Sequence, residues 1–177
     1  MDATNRAPGP GEWVLLTYRL PREPSTPRSA VWRSLRRLGV AQLADGLVAL
    51  PADARTREQL DWLAEEIREA AGTAGVWVAR PTSVAQERDL ATALAADRAA
   101  EYAGVREEAR AAAALDEPSQ RRAARRLREE LRRIRRRDFF PPLERDAAVA
   151  AVEALAAGRA TSPPAAAAAA LAEGRRP

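Results

Sequence analysis

The sequence predicts an α+β protein: a ferredoxin-like domain with the element order βαββαβ, followed by an α-helical hairpin and a short C-terminal helix. Three observations predict this fold class. Residues 12–81 contain four short apolar runs of strand length and two amphipathic segments with helical spacing. An Asp-Gly pair separates the second run from the third, as in a two-residue hairpin turn. Residues 82–157 then carry apolar side chains at helical spacing, with one break between two long segments.

The first predicted strand covers residues 13–20, WVLLTYRL, and ends before Pro21. Side chains alternate between the two faces of a strand. The alternation divides the residues into two sets, Val14, Leu16 and Tyr18 against Leu15, Thr17 and Arg19. Two helices cover only one face of such a sheet, so we expect the other face, with Trp13, Leu15 and Trp77, to need a cover of its own.

The first predicted helix follows, with Pro27 at its first position and a cap at Ser25 or Thr26. Gly39 is expected to end this helix in the left-handed conformation. Its buried stripe has the spacing i, i+4, i+7 and consists of Val31, Leu35 and Leu38.

The hairpin of the second and third strands turns at Asp45-Gly46 and closes at Pro51. The second helix is predicted over residues 56–71, with Thr56 and Gln59 at capping-box spacing and Gly72 as its end. Its stripe consists of Leu60, Leu63 and Ile67, and the segment AGVWVARP supplies the fourth strand. We expect Trp32 and Trp62 to be packing residues of the core, as large aromatic side chains usually are.

The C-terminal half is predicted to be helical over residues 84–115, 119–137 and 143–157, with a break at Asp116-Glu117-Pro118. The expected segments of the chain are then a flexible leader (1–11), the ferredoxin-like domain (12–81) and the helical hairpin region (82–157). The last segment, 158–177, is rich in Ala, Pro and Arg and is predicted to be disordered.

The composition argues against an enzyme. The chain has no Cys and no His, which removes thiolate nucleophiles, the most common general base and the most common transition-metal ligands. No phosphate-loop, dinucleotide-binding or nucleophile-elbow motif is present. We therefore expect no catalytic residues, no metal site and no cofactor. Without a signal peptide or an apolar run of membrane length, we also expect a cytoplasmic protein with no membrane partner.

The charge indicates an anionic partner. The net charge is +4, and every basic residue is Arg, whose planar guanidinium binds phosphates through paired hydrogen bonds. Residues 119–137 hold ten Arg against two Glu. Two interpretations stay open: a phosphate backbone balances this charge, or Glu101, Glu107 and Glu108 of the preceding helix do.

The first helix offers a second basic surface. The candidate DNA-binding residues on the two helices are Arg33, Arg36, Arg37, Arg121, Arg122, Arg125, Arg126, Arg128, Arg132, Arg133 and Arg136. A cluster of Arg near a helix N-terminus would also suit a tetrahedral dianion such as chromate. The candidate oxyanion-binding residues are Arg19, Arg28 and Arg33. Alternatively, these are ordinary solvent-facing side chains.

A series of short motifs resembles the N-terminal domain of the ChrB chromate-resistance regulators. They are Tyr18-Arg19-Leu20-Pro21, Arg28, Val31-Trp32-Arg33, Leu38-Gly39, Asp45-Gly46, Pro51 and Arg137-Asp138-Phe139-Phe140. No single motif is diagnostic, but their order and spacing cover about residues 12–157. The domain is also similar to the ferredoxin-like module of PaaX-type repressors. More remote nuclease-like relatives carry an acidic residue after the first strand, and here that stretch reads Tyr18-Arg19-Leu20.

The resemblance implies a transcriptional regulator that binds DNA, responds to chromate and controls an efflux transporter. Full-length ChrB proteins carry a further C-terminal domain associated with chromate sensing, and we expect this chain to lack it. The chain is therefore expected to be a chromate-resistance regulator or co-regulator that binds DNA, with chromate as a candidate ligand, and to form a homodimer. The alternative is a non-enzymatic protein-interaction module that dimerises and docks a separately encoded sensor subunit.

Overall fold

A computed structural model describes residues 11–158 of the chain. The predicted leader and the predicted tail lie outside the described residues, apart from Gly11 and Gly158. The described part is an α+β structure, as predicted. Its elements are β1 (Trp13–Arg19), α1 (Ser25–Leu38), β2 (Ala41–Ala44), β3 (Leu47–Pro51), α2 (Ala54–Glu69), β4 (Thr73–Ala79), α3 (Val84–Ala112), α4 (Glu117–Arg135) and α5 (Glu144–Ala156).

The four strands form one sheet in the order β2-β3-β1-β4, and all neighbouring strands are antiparallel. This order confirms the ferredoxin-like prediction. The β2–β3 hairpin turns at Asp45-Gly46, where Gly46 has a φ of 73°. A Cβ on Gly46 would lie 2.3 Å from the carbonyl oxygen of Tyr18, so only glycine fits this turn without a shift of the backbone.

The described residues divide into two compact units. Unit 1 comprises residues 11–97 and 137–141, and unit 2 comprises residues 98–136 and 142–158. In unit 1, α1 and α2 pack on the sheet face that carries Val14 and Leu16, as the alternation of β1 predicts. The buried residues of this layer are Val14, Leu16, Val31, Leu35, Val48, Leu50, Leu60, Leu63, Ala64 and Ile67.

The opposite face of the sheet is covered within unit 1 at the Trp13 end. Trp13 is buried there with Leu94 of α3, and Leu15 packs against the same cluster. The ring of Phe140 stacks on Trp13 with a centroid distance of 6.1 Å. Residues 84–97 therefore belong to the sheet unit, because their apolar side chains supply the cover that the second sheet face needs.

The core of unit 2 is formed by the rest of α3 together with α4 and α5. Its largest fully buried side chains are Tyr102, Leu127, Ile134 and Leu155. Arg98 is also buried in this unit, and its Nε lies 3.3 Å from the carboxylate of Glu101. The helix predicted over residues 119–137 is confirmed, and its apolar residues Leu127, Leu131 and Ile134 form the buried side of α4.

The N-termini of α1 and α4 differ from the predictions by a few residues. α1 begins at Ser25 and has Pro24 as its N-cap, without a side-chain capping hydrogen bond, so neither Ser25 nor Thr26 caps it. α4 begins at Glu117 and contains Pro118 in its first turn, because proline is compatible with a helix start. The break therefore lies at residues 113–116.

Both ends of α2 were placed wrongly by the sequence. Asp53 is its N-cap: the Thr56 amide donates to Asp53 Oδ1 (2.6 Å), and the Asp53 amide donates to Thr56 Oγ1 (3.0 Å). Thr56 therefore stands at the third helical position instead of capping. At the other end, the left-handed residue is Ala71, with a φ of 58°. A Cβ on Gly72 would lie 2.6 Å from the carbonyl oxygen of Arg19, so this glycine permits close packing of the backbone.

The expectation that Trp32 and Trp62 pack in the core is wrong. The two residues are 57% and 72% exposed on α1 and α2. Trp32 follows the buried Val31, and Trp62 precedes the buried Leu63, so each lies about 100° around its helix from an inward position. Among residues 11–158, no helix has the length and apolar character needed to cross a bilayer.

Candidate nucleic-acid interface

α4 displays its arginines because its apolar residues all point the other way. Leu127, Leu131 and Ile134 follow one another at i, i+4, i+7 and are buried in unit 2. Residues at the remaining positions of a helix turn away from that stripe. The guanidinium groups of α4 therefore reach solvent along most of the helix, which has no acidic side chain after its first turn except Glu129 and Glu130.

Several arginines in residues 119–137 pair with carboxylates, among them Arg121, Arg126, Arg128 and Arg133. Arg121 Nη1 lies 3.0 Å from Glu117, and Arg126 Nη2 lies 2.7 Å from Glu108 of α3. Arg133 pairs with Glu130 in the preceding turn. Because these pairs are exposed, each contributes little to stability, but each lowers the charge that α4 offers to a partner.

The fourth pair joins α4 to α5. Arg128 donates to both carboxylate oxygens of Glu153, from Nε to Oε1 (2.9 Å) and from Nη2 to Oε2 (2.5 Å). These hydrogen bonds raise the pKa of Arg128 and lower the pKa of Glu153. An arginine also binds a phosphate through two such parallel hydrogen bonds. Glu153 therefore occupies a guanidinium group that an anionic partner could otherwise bind.

The predicted neutralisation by the preceding helix is confirmed for Glu108. Glu108 reaches Arg126, whereas Glu101 pairs with Arg98 and Glu107 with Arg110 (2.8 Å) on their own helix. The sequence analysis did not identify Glu153 as a partner. Its 25-residue separation from Arg128 leaves no local spacing signal.

Three arginines of α4 are exposed to solvent and form no close ion pair with a described carboxylate. Arg125, Arg132 and Arg135 are exposed, and in the part of the chain that the structure describes no carboxylate lies within 4.0 Å of them. We call these three residues the open arginine row. Arg125 and Arg132 are seven residues apart, about 10 Å along one side of the helix. The row could bind successive phosphates of a nucleic-acid backbone.

The other predicted residues of α4 are less available. Arg122 donates to the hydroxyl of Ser119 (2.8 Å), and Arg136 has an interaction within the chain. Arg135, in contrast, was not among the predicted residues. The signal that could have found it is its spacing of three residues from Arg132, which places both on the same side of the helix.

The predicted residues of α1 form a separate surface in unit 1. The guanidinium of Arg36 lies over the ring of Trp32, 4.9 Å from its centroid, and Arg37 donates to the hydroxyl of Ser34 (2.9 Å). Arg33 is exposed on the same helix. A DNA contact by these three arginines stays a prediction.

The predicted oxyanion residues are only partly brought together. Arg19 and Arg28 line one open groove of about 680 Å³, and Arg33 is not among its lining residues. Arg28 already donates to the carbonyl oxygens of Pro21 (3.0 Å) and Arg22, so it holds the loop before α1. Asp45 also lines the groove and disfavours an anion there. Chromate binding by these residues stays a prediction.

The groove contains one perturbed titratable group. Burial raises the pKa of Tyr18, and the negative charge of Asp45 raises it further. The phenol is therefore held neutral, as a hydrogen-bond donor. No group of three or more acidic side chains that could hold a metal ion occurs in residues 11–158.

Comparison with known proteins agrees with the predicted resemblance. The family described as "Protein ChrB, N-terminal" matches residues 28–162, which include α2 to α5 and α1 from Arg28 onward. Protein ChrB of Cupriavidus metallidurans is 32% identical over 91 residues, which make up 51% of this chain and 28% of that protein. The matched region thus spans less than a third of that relative, and no solved structure matches significantly. Since the family match covers most of the chain, the protein belongs to the ChrB N-terminal family.

Proposed function

We propose that this protein is a cytoplasmic, non-enzymatic regulator or co-regulator of chromate resistance that binds DNA through α4. The observation that carries the proposal is the open arginine row, Arg125, Arg132 and Arg135, which forms no ion pair within 4.0 Å among the described residues. The resemblance to the ChrB regulators supplies the chromate-resistance setting. The absence of His and Cys from the sequence argues against a catalytic role.

The physical reason for DNA as the partner is charge density. Arg side chains three, seven and ten residues apart repel one another on a helix, which destabilises it unless an anion lies beside them. A DNA backbone provides one phosphate charge about every 1.7 Å of duplex and can neutralise the whole row. Phosphate contacts of this kind supply affinity with little sequence preference, so the proposal concerns backbone binding by α4.

The proposal is tested by salt-dependent DNA binding. Fluorescence anisotropy would measure binding to a duplex from the region upstream of the protein's own operon, from about 50 to 200 mM salt. The double variant Arg125→Ala/Arg132→Ala is expected to weaken binding. Because each lost phosphate contact changes the slope of log K against log salt by about 0.9, we expect the slope to become shallower by about 2.

A matched control removes the same charge elsewhere. The double variant Arg57→Ala/Arg110→Ala also removes two exposed guanidinium groups, each of which pairs with a carboxylate on α2 or α3. It should leave the salt slope close to that of the wild type. Absence of salt-sensitive binding at micromolar wild-type protein would contradict the proposal, and so would equal slopes in the two double variants.

A further inference from the structure

The outer edge of β4 is largely apolar, and the strand's own residues supply none of the usual protection of an edge strand. β4 lies at the end of the sheet, and its seven residues, TAGVWVA, include no charged residue and no proline. Trp77 and Val78 project to opposite faces and are 59% and 51% exposed. Edge strands of soluble proteins normally carry charges, proline or bulges that prevent pairing with another chain.

The opposite edge of the sheet shows the contrast. β2 has only four residues, and its register with β3 shifts between Gln42 and Ala44. A short strand with an irregular register offers few backbone groups in a regular row. The sheet is therefore protected at one edge and open at the other, which indicates that the β4 edge is used.

The structure also indicates which backbone groups of β4 point outward. The Tyr18 amide donates to Gly46 O (2.7 Å) in the β2–β3 turn, away from its β4 partner Ala74. Ala74 O correspondingly accepts a hydrogen bond from Arg68 Nη2 (3.1 Å) of α2. Because backbone direction alternates along a strand, Ala74, Val76 and Val78 present their N–H and C=O groups outward.

We infer that β4 pairs antiparallel with β4 of a second copy of this chain, about a two-fold axis at Val76. In this register Val76 lies opposite its own counterpart, and Ala74 lies opposite Val78 of the second copy. All three outward-pointing residues of each strand then form ladder hydrogen bonds, and Arg68 gives up Ala74 O. The Trp77 ring does not block the approach, because its Nε1 donates inward to Thr17 Oγ1 (3.1 Å).

Charge favours a second copy in the antiparallel direction. Arg80 follows the C-terminal end of β4 and pairs with Glu12 (2.9 Å). At the other end Glu69 ends α2, and its neighbour Arg68 is paired with Glu65 (2.7 Å), which leaves the charge of Glu69 there. Antiparallel pairing places Arg80 of each copy beside the Glu69 end of the other, whereas parallel pairing would place like charges together. A two-fold contact also pairs the open β4 edge of each copy with that of the other, so the assembly closes as a dimer. This inference does not depend on DNA binding.

Two experiments test the inference: the molecular mass of the protein in solution is measured, and one charge is added to β4 by substitution. Light scattering after size exclusion, from about 1 to 100 μM protein, should give twice the 19.2 kDa chain mass at the upper end. Val78→Lys adds a charge to the edge and is expected to raise the dimer Kd at least tenfold. The control Val84→Lys changes the same residue type at almost the same exposure, 49%, on α3, and should leave the Kd unchanged.

Hydrogen exchange of the wild type locates the contact without any variant. Amides of Ala74, Val76 and Val78 should gain protection at the higher protein concentration. A wild-type mass of one chain throughout would overturn the inference, as would a mass above two chains or a dimer unaffected by Val78→Lys. If Val78→Lys fails to fold by circular dichroism, hydrogen exchange decides: protection gained only outside β4 contradicts the proposed interface.

Discussion

Glu153 affects how much positive charge α4 displays, because its two carboxylate oxygens accept hydrogen bonds from Nε and Nη2 of Arg128. The Arg128 side chain lies on the same side of α4 as Arg125 and Arg132, three and four residues away. Without this single carboxylate of α5, the open arginine row would contain four residues instead of three. Ion pairs, some local and some with residues distant in sequence, therefore affect which guanidinium groups remain available to a partner.

This pair gives unit 2 a pH dependence that can be measured. Since Arg128 lowers the pKa of Glu153, the pair stabilises the folded state above the ordinary Glu pKa, and this stabilisation is lost as the pH falls through the lowered pKa. We expect Glu153→Gln to unfold at a lower temperature than the wild type at pH 7, with a difference that shrinks toward pH 3.

Thermal unfolding followed by circular dichroism at each pH would measure this difference. Glu58→Gln on α2 is the control, since it removes the same charge from a carboxylate that makes no ion pair with any described residue. Its unfolding temperature should differ from that of the wild type by an amount with little pH dependence. If the difference in unfolding temperature between Glu153→Gln and the wild type does not change with pH, a stabilising role of the pair is contradicted.

At the scale of elements, apolar periodicity predicted the strands and helices, while their ends depended on contacts it does not contain. The stripes of α1, α2 and α4 are buried where their spacing places them. The start of α2 was wrong because Asp53 and Thr56 both suit a cap, and only the folded backbone decides between them. The prediction that Trp32 and Trp62 are buried relied on the large volume of their side chains and was wrong. The position of a residue around the helix, and not the volume of its side chain, determines its burial here.

The β2–β3 turn and the middle of α3 provide opposite predictions for the same substitution. Gly46→Ala introduces a Cβ 2.3 Å from Tyr18 O at a φ of 73°, so we expect it to destabilise the protein by more than about 1 kcal/mol. Gly104 lies within α3, and a Cβ there would meet no atom within 4 Å. Gly104→Ala is therefore expected to stabilise by about 0.5–1 kcal/mol, through helix propensity.

Urea unfolding of the two variants beside the wild type would measure both effects. The midpoint should move to lower urea for Gly46→Ala and to higher urea for Gly104→Ala, with unchanged slopes. A neutral Gly46→Ala would mean that the turn tolerates a side chain and that the Asp-Gly signal reflects only a preference. A destabilising Gly104→Ala would point to a close contact at this position of α3.

At the scale of the whole molecule, the boundary between the two compact units differs from the boundary that the sequence suggests. The sequence predicts a boundary at residue 82, where the strands end. In the structure, the residues of α3 up to Asp97 belong to unit 1, and those from Arg98 onward belong to unit 2. Apolar spacing showed that this segment is a helix. It did not show that Leu94 packs on the sheet while Val105 packs with α4 and α5, because that depends on tertiary contacts.

Two leucines of equal burial test whether each core stabilises its own unit. Leu127 and Leu60 are both fully buried, in unit 2 and unit 1 respectively. Truncation of either to Ala should cost about 2–5 kcal/mol through lost burial and a residual cavity. We expect Leu127→Ala to accelerate amide hydrogen exchange mainly in residues 98–136 and 142–158, and Leu60→Ala to accelerate it mainly in the sheet and in α2. Because local opening reports the stability of the segment that opens, identical exchange patterns in the two variants would show that residues 11–158 unfold as a single cooperative body.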